Sequence, residues 1–333
     1  DLNNSPIHPD AAVISYAFTT GGKLIAFVWR KGKPLNAVPL DLTLEEVDKI
    51  SLETSQKIKS FIFFKQDGKS VFDKLIKPLD LPPDIQHFII IPDKSLWKIP
   101  FQALSEDGRT YLIENKLVSY APSVSVLLNQ LNNPKPERRS FQVFANSLYK
   151  NFYLKFADAE ARTLAASFNV RPILNAAISD FAANSDKSDI VHFSMHAEVE
   201  RDAPFNSFLA FKPTGQTGDG RLTVEELLKM RLKKGSLVFL ASCDTNNVFN
   251  GEGLISLAWG MFGAGASTVI SAQWEANDQS TSIFTRSFYR NLKNGLSSAE
   301  ALQQASIEMI RKEGGNLSEP YFWAEFTLNG DYR

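Results

Sequence analysis

From residue 140 onward, short apolar runs alternate with amphipathic stretches, and this alternation limits what the chain can fold into more than any other feature. Ser140–Ala145, Arg171–Leu174, Asp189–Ser194, Leu237–Ala241, Ser267–Gln273 and Ala324–Leu328 have the length and composition of buried strands. Between them, Ala157–Phe168, Ala176–Ala183, Thr223–Leu232, Gly253–Phe262, Gln279–Leu292 and Ser298–Lys312 read as helices. Strands in alternation with helices predict a mainly parallel sheet covered on both faces, an α/β architecture.

The first part of the chain follows a different pattern. Ala12–Leu42 alternates apolar and polar residues around Gly21-Gly22 and again around Lys31-Gly32-Lys33-Pro34, a β-meander signature. Leu44 to about Phe64 is helical in spacing, Phe72–Ile76 is a shorter helical piece, and His87–Ile91 is a buried strand. Ser123–Asn132 reads as a helix before a polar stretch with two prolines. The expected organisation is therefore an N-terminal half over 11–132, a linker over 133–139 and a second half over 140–331. The chain begins at Asp1, not Met, with no signal-peptide pattern, so a segment upstream in a parent protein is expected.

Composition closes off several function classes. The 36 basic and 37 acidic residues give a net charge of -1, which leaves no electrostatic footprint for nucleic acid or an anionic membrane surface. No apolar run approaches the ~20 residues that span a bilayer. Cys243 is the single cysteine, so no internal disulfide can form; this fits a reducing compartment and predicts a cytoplasmic protein. There is no P-loop and no G-x-S-x-G elbow, and Gly251-Glu252-Gly253 and Gly263-Ala264-Gly265 lack the full dinucleotide fingerprint. No cofactor is expected.

In open α/β sheets, reacting groups sit beyond the carboxyl ends of the strands. Met195-His196-Ala197 follows one strand and Ser242-Cys243-Asp244 follows the next, so a histidine and the only cysteine leave consecutive, commonly adjacent strands. A free thiol is only a few per cent thiolate at neutral pH, and an imidazole beside it takes its proton and later protonates a leaving amine. The backbone N–H groups of Cys243 and Ala197 are candidate oxyanion donors. The plain readings stand beside these: a small apolar filler for Cys243, and a core or surface group for His196. His192 competes as the base, but its neighbours Ile190, Val191 and Phe193 argue for a buried strand position. The His192–His196 spacing suits a zinc pair only on a helix, so no metal is expected.

These motifs belong to a recognisable set. Ile90-Ile91-Pro92-Asp93, Leu96-Trp97-Lys98-Ile99-Pro100-Phe101, Ala121-Pro122-Ser123, His192-Phe193-Ser194-Met195-His196-Ala197, Gly220-Arg221-Leu222-Thr223 and Leu240-Ala241-Ser242-Cys243-Asp244-Thr245 stand in order. Trp274 with Asp278, Phe288-Tyr289 and Tyr321-Phe322-Trp323-Ala324 follow. In these the sequence resembles the CHAT domain, a caspase-like clan CD cysteine peptidase module usually found with tetratricopeptide repeats and distantly similar to separases. The resemblance implies a three-layer αβα caspase-like fold preceded by a degenerate caspase-like half without its own dyad, and a Cys243/His196 peptidase dyad. Ala197 stands where caspases carry glycine.

By analogy with caspases, the segment after Ser267–Gln273 lines the substrate pocket, which points to Trp274, Glu275 and Asp278. An acid there would select a basic P1 side chain; alternatively, Asp278 opens a helix as its N-cap and Trp274 builds an apolar slot. Glu198–Gly220 and Asp244–Gly251 are expected to be adjustable polar loops, with low basal activity until they are ordered. The expected function is a cysteine endopeptidase that cleaves a specific protein substrate, controlled by a tetratricopeptide-repeat or other regulatory module upstream or in trans. The alternatives are a silent caspase-like scaffold that binds partners, and a hydrolase of a small acyl substrate.

Overall fold

The computed structural model describes the chain except residues 1–4, 134–136, 201, 216–217, 243–248, 251–252, 255, 276 and 313–315. It divides into two units, one of Asp1–Asn132, Gly295–Ala324 and Leu328–Arg333, the other of Asn133–Asn294 and Glu325–Thr327.

In the first unit, β1 (Ala11–Phe18), β2 (Lys23–Arg30) and β3 (Asn36–Thr43) form the expected antiparallel meander. β4 (His87–Ile91) runs parallel to β1, and β5 (Leu117–Tyr120) runs parallel to β4. Helix α1 (Leu44–Lys59) starts on a capping box between Thr43 and Glu46, which satisfies two of its free N–H groups. It stops before the expected Phe64, because the chain turns at Phe61 with φ 58°. Helices α2 (Lys65–Leu75), α3 (Leu112–Asn115) and α4 (Val124–Leu131) complete this part.

The second unit holds the regular α/β pattern. β6 (Phe141–Asn146) is followed by a two-stranded hairpin, β7 (Leu148–Tyr149) and β8 (Phe152–Tyr153), then by helix α5 (Ala157–Ser167). β9 (Ile173–Leu174), α6 (Ile178–Ala182) and β10 (Ile190–Met195) come next. The stretch expected to be a polar loop, Glu198–Gly220, contains β12 (Phe208–Ala210), which joins β11 (Ala197–Glu198) and β13 (Arg221–Thr223) at its two ends in an antiparallel three-stranded sheet. Phe208, Leu209 and Ala210 are buried, and Leu209, Phe211 and Leu222 join the core that covers one face of the main sheet. Gly220, at φ 78°, turns the chain where a side-chain Cβ would meet the Phe211 carbonyl oxygen at 2.2 Å. The helix expected over 223–232 shortens to α7 (Val224–Leu227). After β14 (Leu237–Leu240) and the short pair β15 (Phe249–Asn250) and β16 (Gly253–Leu254), α8 (Leu257–Ala264), β17 (Thr268–Ala272) and α9 (Asp278–Lys293) follow.

The main sheet of this unit runs β17-β14-β10-β6-β9 with every pair parallel. On one face, Val191, Phe193, Val238, Leu240 and Val269 pack against Phe181, Leu227, Leu257 and Met261. On the other, Phe239 meets Phe288 and Tyr289 of α9, with ring centroids 5.4 and 6.0 Å apart. This is a three-layer αβα arrangement, the predicted class. Glu325 sits beside the end of β17, where its carbonyl accepts the Gln273 N–H at 2.9 Å. Its carboxyl is fully buried with no hydrogen-bond partner among the described residues, and burial holds it well above the ordinary carboxylate range.

One helix falls outside the expected second half. α10 (Ser298–Ile310) belongs to the first unit, where Gln303 Nε2 donates to the Ile113 carbonyl at 2.9 Å. A helix goes where its apolar stripe is buried, here Ala301, Leu302, Ala305 and Met309 against β5 and α3.

A buried polar cluster fixes β10 against its two covering helices. Glu160 of α5 accepts the Ser194 hydroxyl of β10 and the Thr285 hydroxyl of α9, both at 2.5 Å. His192 Nδ1 hydrogen-bonds with the Tyr289 hydroxyl at 3.0 Å, and His192 Nε2 lies 3.7 Å from Glu160, an ionic rather than hydrogen-bonding distance. Burial raises the Glu160 carboxyl pKa, but His192 and the two hydroxyls outweigh it, leaving the carboxyl below its ordinary value. Glu160→Ala removes the short bonds of two buried hydroxyls, leaving them longer contacts to the Ala157 and Ser282 carbonyls at 3.3 and 3.5 Å, and takes the carboxylate from beside His192. Denaturant titration should show a loss of about 3 kcal/mol, with Glu160→Gln recovering part of it.

Candidate active site

His196 follows β10 directly, and Ser242 stands two residues beyond β14. The parallel register of the two strands pairs His192 with Phe239 and Phe193 with Leu240. It continues past the strands: the Ala241 N–H donates to the Phe193 carbonyl at 3.0 Å, and the Ser242 hydroxyl donates to the Met195 carbonyl at 2.6 Å. The residue before His196 is thus bonded to the residue before Cys243. Cys243 itself, and the loop after it to residue 248, lie outside the described residues.

The imidazole of His196 is half-buried and held by a backbone group. Its Nε2 is 3.1 Å from the Phe152 carbonyl oxygen. A carbonyl only accepts, so Nε2 carries the proton and Nδ1 of the neutral ring is left with a bare lone pair. The rings of Tyr149 and Phe152 flank the imidazole at 6.4 and 6.5 Å. Burial lowers the His196 pKa below its ordinary value, against smaller upward pulls from the Phe152 carbonyl and the Glu275 charge. The ring is therefore neutral near pH 7 and able to accept a proton. His192, by contrast, is 0 % exposed inside the Glu160 cluster, as its strand neighbours implied.

The carbonyl that holds His196 is itself anchored. Leu154 N–H closes the β7–β8 hairpin onto the Ser147 carbonyl at 2.8 Å. Phe156 N–H donates to Asp278 Oδ2 at 2.6 Å, which ties the segment between β8 and α5 to the start of α9. Asp278 is not the helix cap that its position suggested: Asn277 is, with its side chain accepting the Ser280 N–H. The reason is one residue of register. With Asn277 extended as N-cap, the Asp278 side chain is free to reach Phe156, and burial raises its carboxyl pKa despite that bond. Nothing in the sequence around Phe152 signalled its role, because the contribution is a main-chain oxygen.

Ala197 pairs with Leu209, flanked by the Ala210 N–H donating to the His196 carbonyl at 2.9 Å. That pattern puts Ala197 at a non-hydrogen-bonded position, so its N–H stays out of the β11–β12 ladder. Of the pocket candidates, Trp274 is buried at 3 % exposure, Glu275 is exposed, and Asp278 is half-buried with one oxygen engaged as described. Among the described residues no group of three His, Cys, Asp or Glu side chains is placed to hold a metal ion, and no helix is long and apolar enough to cross a membrane.

Asp278 acts on His196 through four residues of backbone. Asp278→Ala should slow alkylation of Cys243 by iodoacetamide severalfold, whereas Asp278→Asn, whose amide oxygen still accepts the Phe156 N–H, should hold near the parent rate. Circular dichroism checks that both variants keep the fold.

The comparisons with known proteins agree with this architecture. The family model described as "CHAT domain" matches residues 65–331. Tetratricopeptide repeat protein 28 of Mus musculus is 32 % identical over 109 residues, 33 % of this chain, and its Homo sapiens counterpart is 29 % identical over the same length. The chain spans 4 % of the length of each of these relatives. Among solved structures, the separase–securin complex of Saccharomyces cerevisiae superposes with TM-score 0.64 at 11 % identity, covering 96 % of this chain and 30 % of that one. The Arg-specific cysteine proteinase gingipain R superposes with TM-score 0.52 at 11 % identity, covering 86 % of this chain and 73 % of that one. These likenesses bear on the fold, and the family model reaches well over half of the sequence. The chain belongs to the CHAT domain family and has its caspase-like α/β fold.

Proposed function

We propose that this chain is a cysteine endopeptidase in which Cys243 is the nucleophile and His196 the base. The observation that carries this reading is the bond from Ser242 to the Met195 carbonyl. Met195 directly precedes His196 in the chain and Ser242 directly precedes Cys243, so the bond joins the two segments one residue short of each member of the proposed dyad. The neutral imidazole, with Nδ1 bare and Nε2 held by Phe152, is in the protonation state and tautomer a base needs.

In this mechanism Nδ1 takes the Cys243 proton as the sulfur attacks the scissile carbonyl carbon. The N–H groups of Ala197 and Cys243 receive the oxyanion, Ala197 being free of its ladder for that purpose. Collapse of the tetrahedral species breaks the C–N bond, and His196 returns the proton to the leaving amine. Water, deprotonated by the same imidazole, then hydrolyses the thioester and restores the thiol. The substrate is a specific protein. Trp274, Glu275 and Asp278 border the pocket, with Glu275 the exposed acid whose charge acts on His196. Tetratricopeptide-repeat relatives support a regulatory module upstream or in trans, and a cytoplasmic setting suits a chain with one free thiol.

The dyad is tested by iodoacetamide labelling of Cys243 at neutral pH. The parent chain should react at least about tenfold faster than His196→Ala, since an unassisted thiol is only a few per cent ionised there. Equal, slow labelling would support the alternative of a silent scaffold. The base is tested separately by nuclear magnetic resonance titration of His196 in Cys243→Ser, which removes the thiolate charge. The imidazole should titrate below its ordinary value of 6.5, and Glu275→Gln should move it lower still, because a nearby negative charge is lost. A titration at or above 6.5 in both variants contradicts the assignment.

A further inference from the structure

The hairpin that holds His196 carries an exposed apolar surface that the mechanism leaves unused. Among the described residues, the second unit exposes four large apolar side chains, Leu148, Phe152, Tyr153 and Phe205, and three of them lie on β7 and β8. The strands pair Leu148 with Tyr153 and Tyr149 with Phe152. Directly paired residues share a face and successive residues alternate, so the hairpin has two distinct faces. Tyr149 and Phe152 form the face whose rings flank the imidazole, while Leu148 and Tyr153 form the other. Phe152 is nonetheless 68 % exposed, a large aromatic ring open to solvent beside the group that handles the proton.

We infer that the Phe152 ring is a substrate-recognition surface, and that a preferred peptide carries a large apolar side chain next to the scissile bond on the leaving-group side. This rests on the peptidase reading and extends it to substrate class. The side follows from the chemistry: His196 Nδ1 hands its proton to the departing amine, so the departing segment must begin at the imidazole. The ring that borders this imidazole then borders the first residues of that segment. An aromatic face presented there gains by covering an aliphatic or aromatic side chain, and it offers a polar one nothing. The main-chain oxygen of Phe152 orients the base while its side chain remains free for selection, so one residue serves both roles through separate atoms.

The test is prolonged digestion of a mixed peptide library by the full chain, with cleavage sites read by mass spectrometry, beside iodoacetamide labelling of each variant. Leu, Phe, Ile or Met should be enriched at the first or second position after the cleaved bond. Matched peptides with Ser or Asp there should be cleaved at least about tenfold less efficiently, the discrimination a single apolar contact surface gives. Phe152→Ser, which keeps the carbonyl, should erase the enrichment while iodoacetamide labelling of Cys243 stays faster than in His196→Ala. Phe152→Leu should retain the preference, and Tyr153→Ser, on the opposite face, should leave both readouts as in the parent. The inference is overturned by an absence of apolar enrichment on that side, or by its survival in Phe152→Ser. Loss of the enrichment in Tyr153→Ser, or no cleavage at all by a chain whose Cys243 labels rapidly, overturns it as well. Failure of the peptidase reading shows separately, as labelling no faster than in His196→Ala.

Discussion

The arrangement depends first on the parallel pairing of β10 with β14 and on its extension beyond the strands. Within the sheet the two are held by a regular ladder. Past their ends, Ala241 and Ser242 continue the bonding to Phe193 and Met195, the first through its main-chain N–H and the second through its side-chain hydroxyl. The two chain segments are therefore tied at Met195 and Ser242, the last residue before the histidine and the last before the cysteine.

Behind this junction the unit is closed and polar in a controlled way. Ser194 and His192 alternate with the apolar residues of β10 and enter a cluster whose acceptor, Glu160, also holds Thr285. Both helices on that face, α5 and α9, thus have a directional contact with β10, while the opposite face is held by apolar packing. In front, the imidazole is held by the β7–β8 hairpin, which is too short to be stable alone and depends on its closure at Ser147 and on the Phe156–Asp278 bond next to it. A stiff strand carries the base, and a slender, exposed element aims it.

Strand and helix spacing made the fold class legible, because burial on both faces of a parallel sheet leaves continuous apolar runs such as Ile190–Phe193 and Leu237–Leu240. His196 was legible for the same reason, as a polar residue immediately after such a run. What escaped were interactions with little trace in residue type. The Phe152 oxygen belongs to every amino acid, and Asp278 looked like a cap because Asn277 beside it has equal capping chemistry. The small sheet made by β11, β12 and β13 was hidden by the polar residues around it, since the one continuous apolar run in it is Phe208–Phe211. The position of α10 depends on which surface receives its stripe, and spacing along the chain says nothing about that.

Glu325 makes folding itself a proton-uptake event. The unfolded chain carries this carboxyl ionised above its ordinary value, while the folded chain keeps it neutral and sealed. Its effect on the native state is therefore mildest in acid and grows more unfavourable as the solution turns alkaline, the reverse of the usual salt-bridged carboxylate. A strand end built around a trapped hydrogen ties the domain's integrity to ambient acidity.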